Sequence, residues 1–269
     1  MKMALNTMLS DAESTNYPPY HFFATPTHEL VYLANQKTLL ERNQTDNSNI
    51  ECLICLNRGF KTYYDSETDQ SYIEECRCVK ARRASKNALK SGLGNLLDHK
   101  VRDYEVDNEW QERIKGLVVR YIQEADKEWF LALGQSGIGK TMLCSAICNQ
   151  RLKNGHEVKY LLWREFVVEL KRKVFDYDRD EFFKEYADAE ILYIDDLFKG
   201  KKSETDIDYA FELINKRYNK NLVTIVSSEL LIAELAEIDQ AIAGRIKEKA
   251  KDYYFQEAKD LSKNYRFKG

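Results

Sequence analysis

The sequence has no apolar run near the roughly 20 residues that a bilayer-spanning helix needs, and its first residues lack the basic-then-apolar pattern of a secretory leader. Both absences lead to the expectation of a cytoplasmic protein with no membrane partner. An excess of one charge is also missing, since 41 Lys and Arg against 44 Asp and Glu leave a net charge of −3. A uniformly basic surface is therefore excluded, and any nucleic-acid contact has to be local. The guanine-specifying Asn-Lys-x-Asp pattern does not occur: Asn215-Lys216-Arg217-Tyr218 lacks the acid and lies in a helix-like stretch. No lid arginines or acceptor-site motif points to a small-molecule kinase. What the chain does have is length. Its 269 residues predict one larger domain with a smaller N-terminal part.

The chain is organised around residues 129–141, Trp-Phe-Leu-Ala-Leu-Gly-Gln-Ser-Gly-Ile-Gly-Lys-Thr. The stretch Gly134, Gln135, Ser136, Gly137, Ile138, Gly139, Lys140 and Thr141 matches G-x-x-x-x-G-K-[ST], the phosphate-binding P-loop, at every specified position. Glycines let the backbone curl so that successive N–H groups point at phosphate oxygens in front of a helix N-terminus. Lys140 then reaches the β- and γ-phosphates of ATP, and Thr141 supplies a hydroxyl to Mg²⁺. Trp129–Leu133 has the bounded apolar character of a buried parallel strand, and Met142–Leu152 has a helical pattern. Cys144 and Cys148 on that helix have no second pair nearby and are read as core.

Further strands are predicted at Val158–Trp163 and Leu222–Val226, with helices at 108–126 and Glu165–Lys173. Between them, Ala189–Asp196 is an apolar strand ending in two acids, the form of a Walker B element. Asp195 is assigned to the Mg²⁺ shell and Asp196 to the attacking water. The strand ending at Ser227-Ser228 offers a polar tip that, by analogy with additional-strand ATPases, holds that water or senses the γ-phosphate, a role the resemblance given below assigns to Ser228 or its neighbours.

Residues 1–50 read as an arm in which residues 27–42 form a short helix, either a packing element or a partner-docking one. Residues 51–95 follow as a module. Cys52-Leu-Ile-Cys55 is a C-x₂-C knuckle and Cys76-Arg-Cys78 returns as C-x-C. Four thiolates suit a tetrahedral, structural Zn²⁺ at ~2.3 Å; unligated thiols or a disulfide are the alternatives. Phe60, Tyr63, Tyr64, Tyr72 and Ile73 around a polar turn predict a hairpin that returns the second pair to the first. A basic run follows, Arg77, Lys80, Arg82, Arg83, Lys86 and Lys90, readable as a solvated helix face or as a phosphate-backbone contact. Gly92-Leu-Gly94 reads as the joint to a domain over residues 96–269.

In this order, the cysteine module, the basic helix with Ser91-Gly92, a Trp110 helix, Gly134–Thr141, Ile191–Asp196, Thr224–Glu229 and Gly244-Arg245-Ile246 resemble the DnaC/DnaI-type replicative helicase loaders, including phage versions. This AAA+ branch is related to the IstB transposition helper ATPases, and the resemblance covers roughly residues 50–269. It implies an α/β fold, a P-loop AAA+ parallel sheet with an additional strand, flanked by helices and lidless, behind a small zinc-binding module. The function it implies is ATP-dependent loading of a DnaB-type helicase onto single-stranded DNA, with head-to-tail self-association. It further implies that Arg245 is an arginine finger acting on a neighbour's ATP; Arg266 resembles the family's C-terminal basic residue, either approaching the phosphates or standing as an ordinary tail arginine. One departure is Glu229, an acid directly after Ser228 where many loaders carry Asn. An acid there would repel a γ-phosphate, so either Ser228 does the sensing or hydrolysis is slow. An IstB-like transposition helper and a zinc-based nucleic-acid adaptor with a slow ATP switch are the other readings.

Overall fold

The computed structural model describes residue 55, residues 59–65 and residues 70–267. The arm over residues 1–50, its expected helix at 27–42, and Cys52 lie outside the described residues. The chain divides into two compact units, Met1–Arg83 and Ala84–Gly269.

In the first unit, β1 (Phe60–Asp65) and β2 (Gln70–Glu75) pair antiparallel, with Phe60 opposite Glu75 and Asp65 opposite Gln70. This is the hairpin expected from the aromatic residues and the polar turn. Helix α1 (Arg77–Lys90) carries the basic run. All six of its named cations are exposed, as a solvated face requires.

The second unit is built on a five-stranded sheet in the order β4-β5-β6-β3-β7. Its strands are β3 (Phe130–Gly134), β4 (Val158–Leu162), β5 (Ile191–Asp195), β6 (Val223–Ser228) and β7 (Tyr254–Glu257), and every pairing is parallel. Alternation of side chains along each strand divides the core in two. Leu131, Leu133, Leu192, Ile194 and Val226 face one cluster, and Phe130, Ala132, Ile191, Tyr193 and Ile225 face the other. Helix α3 (Lys140–Lys153) covers the second face through Leu143, Cys144 and Ile147, while α6 (Glu204–Asn219) and α8 (Gln240–Ala250) cover the first. Burial on both faces explains why β3 and β5 read as continuous apolar runs. It also settles Cys144 and Cys148: both are fully buried, and burial pushes their thiols up in pKa.

The remaining helices are α2 (Glu109–Glu124), α4 (Trp163–Arg172), α5 (Arg179–Ala187) and α7 (Ile232–Ile238). Trp163, expected at the end of a strand, instead opens α4 and packs edge-on against Phe198 at 5.6 Å. The fifth strand, β7, is absent from the sequence-based expectation, because four residues with only two buried side chains make a weak pattern. Helix α6 starts at a capping box in which Ser203 N–H donates to Asp206 Oδ2 at 2.9 Å.

Arg217 of α6 is fully buried. Its Nε donates to Thr224 Oγ1 at 2.9 Å, and Nη1 donates to the carbonyls of Tyr186 and Ala189 at 3.0 and 2.8 Å. Nη2 donates to the Val223 carbonyl. One guanidinium thus ties α6 to the end of α5, the lead into β5 and the start of β6. Replacing it with Met leaves several buried acceptors without donors. Arg217→Met is expected to lower unfolding free energy by about 3 kcal/mol or more, read as a shift in the urea midpoint at unchanged slope.

Candidate active site

The C-terminal ends of β3, β5 and β6 meet at one edge of the sheet, because β6 lies between β3 and β5. Ligand sites in open α/β sheets form at this edge. The loop after β3 turns into α3, whose first residues are Lys140 and Thr141. A pocket of about 470 Å³ opens in front of it, lined by Ser136 to Met142 and by Asp196, Lys199, Glu229, Tyr104, Lys263, Tyr265 and Arg266 among others.

Lys140 is 6% exposed. Its Nζ donates to the carbonyls of Gly134 and Gln135 at 2.7 and 2.8 Å. Burial lowers its pKa, and the carboxylates of Asp196 and Glu229 oppose that shift. Asp195, at 3% exposure, accepts hydroxyl hydrogens from four sides. Thr141 donates to Oδ1 at 3.3 Å, Tyr193 to Oδ1 at 2.7 Å, Tyr160 to Oδ2 at 3.1 Å, and Ser227 to Oδ1 in a short bond. Both tyrosines are pushed up in pKa by burial, so they remain donors. The Ser227 hydroxyl also accepts from Asp196 N–H at 2.9 Å, joining the two acids.

The resemblance assigned the polar strand-tip role to Ser228 or its neighbours, and the register distinguishes them. Ser228 is fully buried, its hydroxyl donates to the Leu197 carbonyl at 2.7 Å, and it is not among the pocket-lining residues. Neighbouring strand residues point to opposite faces, so Ser227 reaches the acids and Ser228 cannot. The residue of this strand tip that lines the pocket is Glu229.

Arg245 lies half-buried on α8, with its guanidinium over the rings of Phe211 and Tyr218 at 5.2 and 5.6 Å and Nη1 donating to the Ala241 carbonyl at 3.1 Å. It does not line its own P-loop pocket. Arg266 does line that pocket, donating to Ser136 Oγ at 3.3 Å.

The segment after β7 forms two 3₁₀ turns, Leu261–Lys263 and Tyr265–Phe267, lying on the loop. Tyr265 N–H donates to the Gly137 carbonyl at 3.0 Å. The Gln135 side-chain amide both donates to the Asp260 carbonyl and accepts from Asp260 N–H at 2.6 Å, as a strand neighbour would. None of these partners was legible in the sequence, since they join positions more than a hundred residues apart.

In the first unit, Cys55, Cys76 and Cys78 present sulfurs within 4.8 Å of one another. Gly59 N–H points at Cys55 Sγ at 3.4 Å, and Arg82 Nη2 at Cys78 Sγ at 3.2 Å. Donors aimed at sulfur suit thiolates, and the donor set fits a soft tetrahedral cation.

Comparison with known proteins gives consistent relatives. The description "Bacterial DnaA ATPase domain" matches residues 111–250. YqaM of Bacillus subtilis (strain 168) is 29% identical over 203 residues, 70% of this chain and 64% of YqaM, so the chain spans less than two-thirds of that relative. The phage-like element PBSX protein XkdC of the same organism is 28% identical over 226 residues, 78% of this chain and 83% of XkdC. The crystal structure of DnaI superposes with a TM-score of 0.52 at 23% identity, covering 64% of this chain and 93% of that one, a likeness of fold.

The loop makes a sharp contrast between two glycines. A Cβ on Gly134, at φ +130°, would stand 2.5 Å from the Glu257 carbonyl oxygen, whereas one on Gly137 would meet the Asn264 side chain at 1.8 Å. Strand backbone cannot yield and a side chain can rotate. Gly134→Ala is therefore expected to lower the thermal midpoint by several degrees more than Gly137→Ala, although both carry the strain of positive φ.

Proposed function

Because the chain belongs to the family of the bacterial DnaA ATPase domain, we propose that it binds and hydrolyses ATP and uses that cycle to load a DnaB-type replicative helicase onto single-stranded DNA. The observation that carries this reading is the meeting of Lys140, Thr141 and Asp195 at one sheet edge, with Thr141 Oγ1 3.3 Å from Asp195 Oδ1. A phosphate-binding ammonium and a metal-binding pair are what nucleoside triphosphate chemistry requires side by side. The relatives add a phage-element protein and a loader-like fold.

The roles follow from the contacts. The loop N–H groups and Lys140 bind the phosphates, Lys140 exchanging the Gly134 and Gln135 carbonyls for phosphate oxygens. Thr141 and Asp195 would hold Mg²⁺, which supplies charge neutralisation at the β- and γ-phosphates. Tyr160, Tyr193 and Ser227 orient Asp195, and Asp196 orients the water. Arg245 on α8, off its own pocket, acts on the ATP of an adjacent copy in a head-to-tail assembly, where a guanidinium stabilises charge developing on the transferred phosphoryl group. The 3₁₀ turns after β7 lie on the loop, with Arg266 among them. Cys55, Cys76 and Cys78, with Cys52 as the fourth ligand the sequence spacing offers, would hold a structural Zn²⁺, which would stabilise the hairpin module. A second reading, an adaptor with a slow ATP switch, is favoured by Glu229 at the pocket wall.

Four experiments test these assignments. Lys140→Ala should abolish ATP binding in a nucleotide titration. Arg245→Ala should leave binding intact and cut hydrolysis by ~10³-fold, the scale of an arginine finger, in a phosphate-release assay with helicase and single-stranded DNA present; undiminished turnover removes the finger assignment. A loader should also retain a hexameric helicase on co-purification with ATP, which a transposition helper should not. Metal analysis of protein purified without added zinc should give about one Zn per chain, and Cys78→Ser should reduce it.

A further inference from the structure

The pocket wall opposite the P-loop carries a cation that no motif marks. Lys199 Nζ lies 2.8 Å from Asp196 Oδ2 and 3.1 Å from Glu229 Oε1, and all three residues line the same pocket as Lys140. The backbone that presents it is locally strained: Asp196 and Phe198 adopt φ of +56° and +60° without being glycine. That turn is anchored by main-chain bonds, Leu197 N–H to the Ser227 carbonyl at 2.9 Å and Lys199 N–H to the Asp196 carbonyl at 3.0 Å, and by buried Phe198. The side chain itself is 46% exposed and held at its tip by the two carboxylates. A rigid turn thus delivers a movable ammonium to the site.

The local charges explain what it is for. Two cations, Lys140 and Lys199, face two carboxylates, Asp196 and Glu229. The four sum to zero, so Glu229 is not the bare repulsive acid that its position in the sequence suggests. A γ-phosphate entering this cluster adds negative charge beside both carboxylates. Besides Lys140, Lys199 on its half-exposed flexible stem can turn from the carboxylates to answer it.

We infer that Lys199 is the γ-phosphate-discriminating cation of this site: it neutralises Asp196 and Glu229 when no triphosphate is bound, and transfers its ammonium to the γ-phosphate when ATP binds. The transfer frees the Asp196 carboxylate to accept a hydrogen bond from water. Glu229 parks the ammonium and sets how much the exchange favours ATP over ADP. This inference rests on the ATP-site reading above and adds a residue to it.

The test is a titration with methylanthraniloyl ATP and methylanthraniloyl ADP on wild type, Lys199→Met, Glu229→Gln, the double variant and Lys140→Ala, each checked by thermal melt. Met keeps the stem, and the turn is held by its backbone, so Lys199→Met should melt as wild type does. It should weaken ATP about tenfold, the loss of one charge-assisted hydrogen bond in the presence of an uncompensated acid, and leave ADP unchanged. Adding Glu229→Gln should recover most of that loss, giving a non-additive pair. Equal weakening of ATP and ADP, unchanged ATP affinity, or strict additivity of the two substitutions overturns the inference. Wild-type binding by Lys140→Ala would instead overturn the ATP-site reading itself, so the two failures are told apart.

Discussion

A buried carboxylate is expensive unless hydrogen bonds replace the water it loses, and Asp195 meets that condition with hydroxyls from β4, β5, β6 and the first turn of α3. Those donors reach it only if the strands are parallel, in order and in register. Tyr193 is two residues before Asp195 on the same strand face, Tyr160 stands one strand away, and Ser227 comes from the strand on the other side. A slip of one residue in β6 would turn Ser227 away and bring Ser228 toward the acids. The sheet order and the site are therefore one constraint seen at two scales.

The same edge imposes the geometry of the phosphate loop. Gly134 closes β3 against the backbone of Glu257 in β7, leaving no room for a Cβ. Beyond it, the loop is held from outside by Asp260 and Tyr265 and from inside by the Lys140 ammonium. A loop fixed in advance loses little entropy on meeting an anion, which is the physical use of preorganisation.

Charge is arranged in layers around that edge. Asp195 is innermost and hydrogen-bonded by neutral hydroxyls, whereas Asp196 and Glu229, nearer the mouth, are answered by Lys199. The cations for which the sequence suggested a nucleic-acid role are exposed along α1.

By itself the sequence determined the local chemistry. Glycine spacing marked the loop, apolar runs marked β3, β5 and β6, and cysteine spacing marked the hairpin module, because each of these signals is contained within a few neighbouring residues. Strand boundaries shifted by a residue or two, and β7 escaped notice because its side chains are only half inward. What only the tertiary structure decided were the pairings between distant segments: Ser227 rather than Ser228 beside the acids, Tyr160 on Asp195, Lys199 between Asp196 and Glu229, and Asp260 and Tyr265 across the loop. The physical reason is that a side chain's partner across a sheet edge is set by strand order and pleat. Neither is written in the residues adjacent to it.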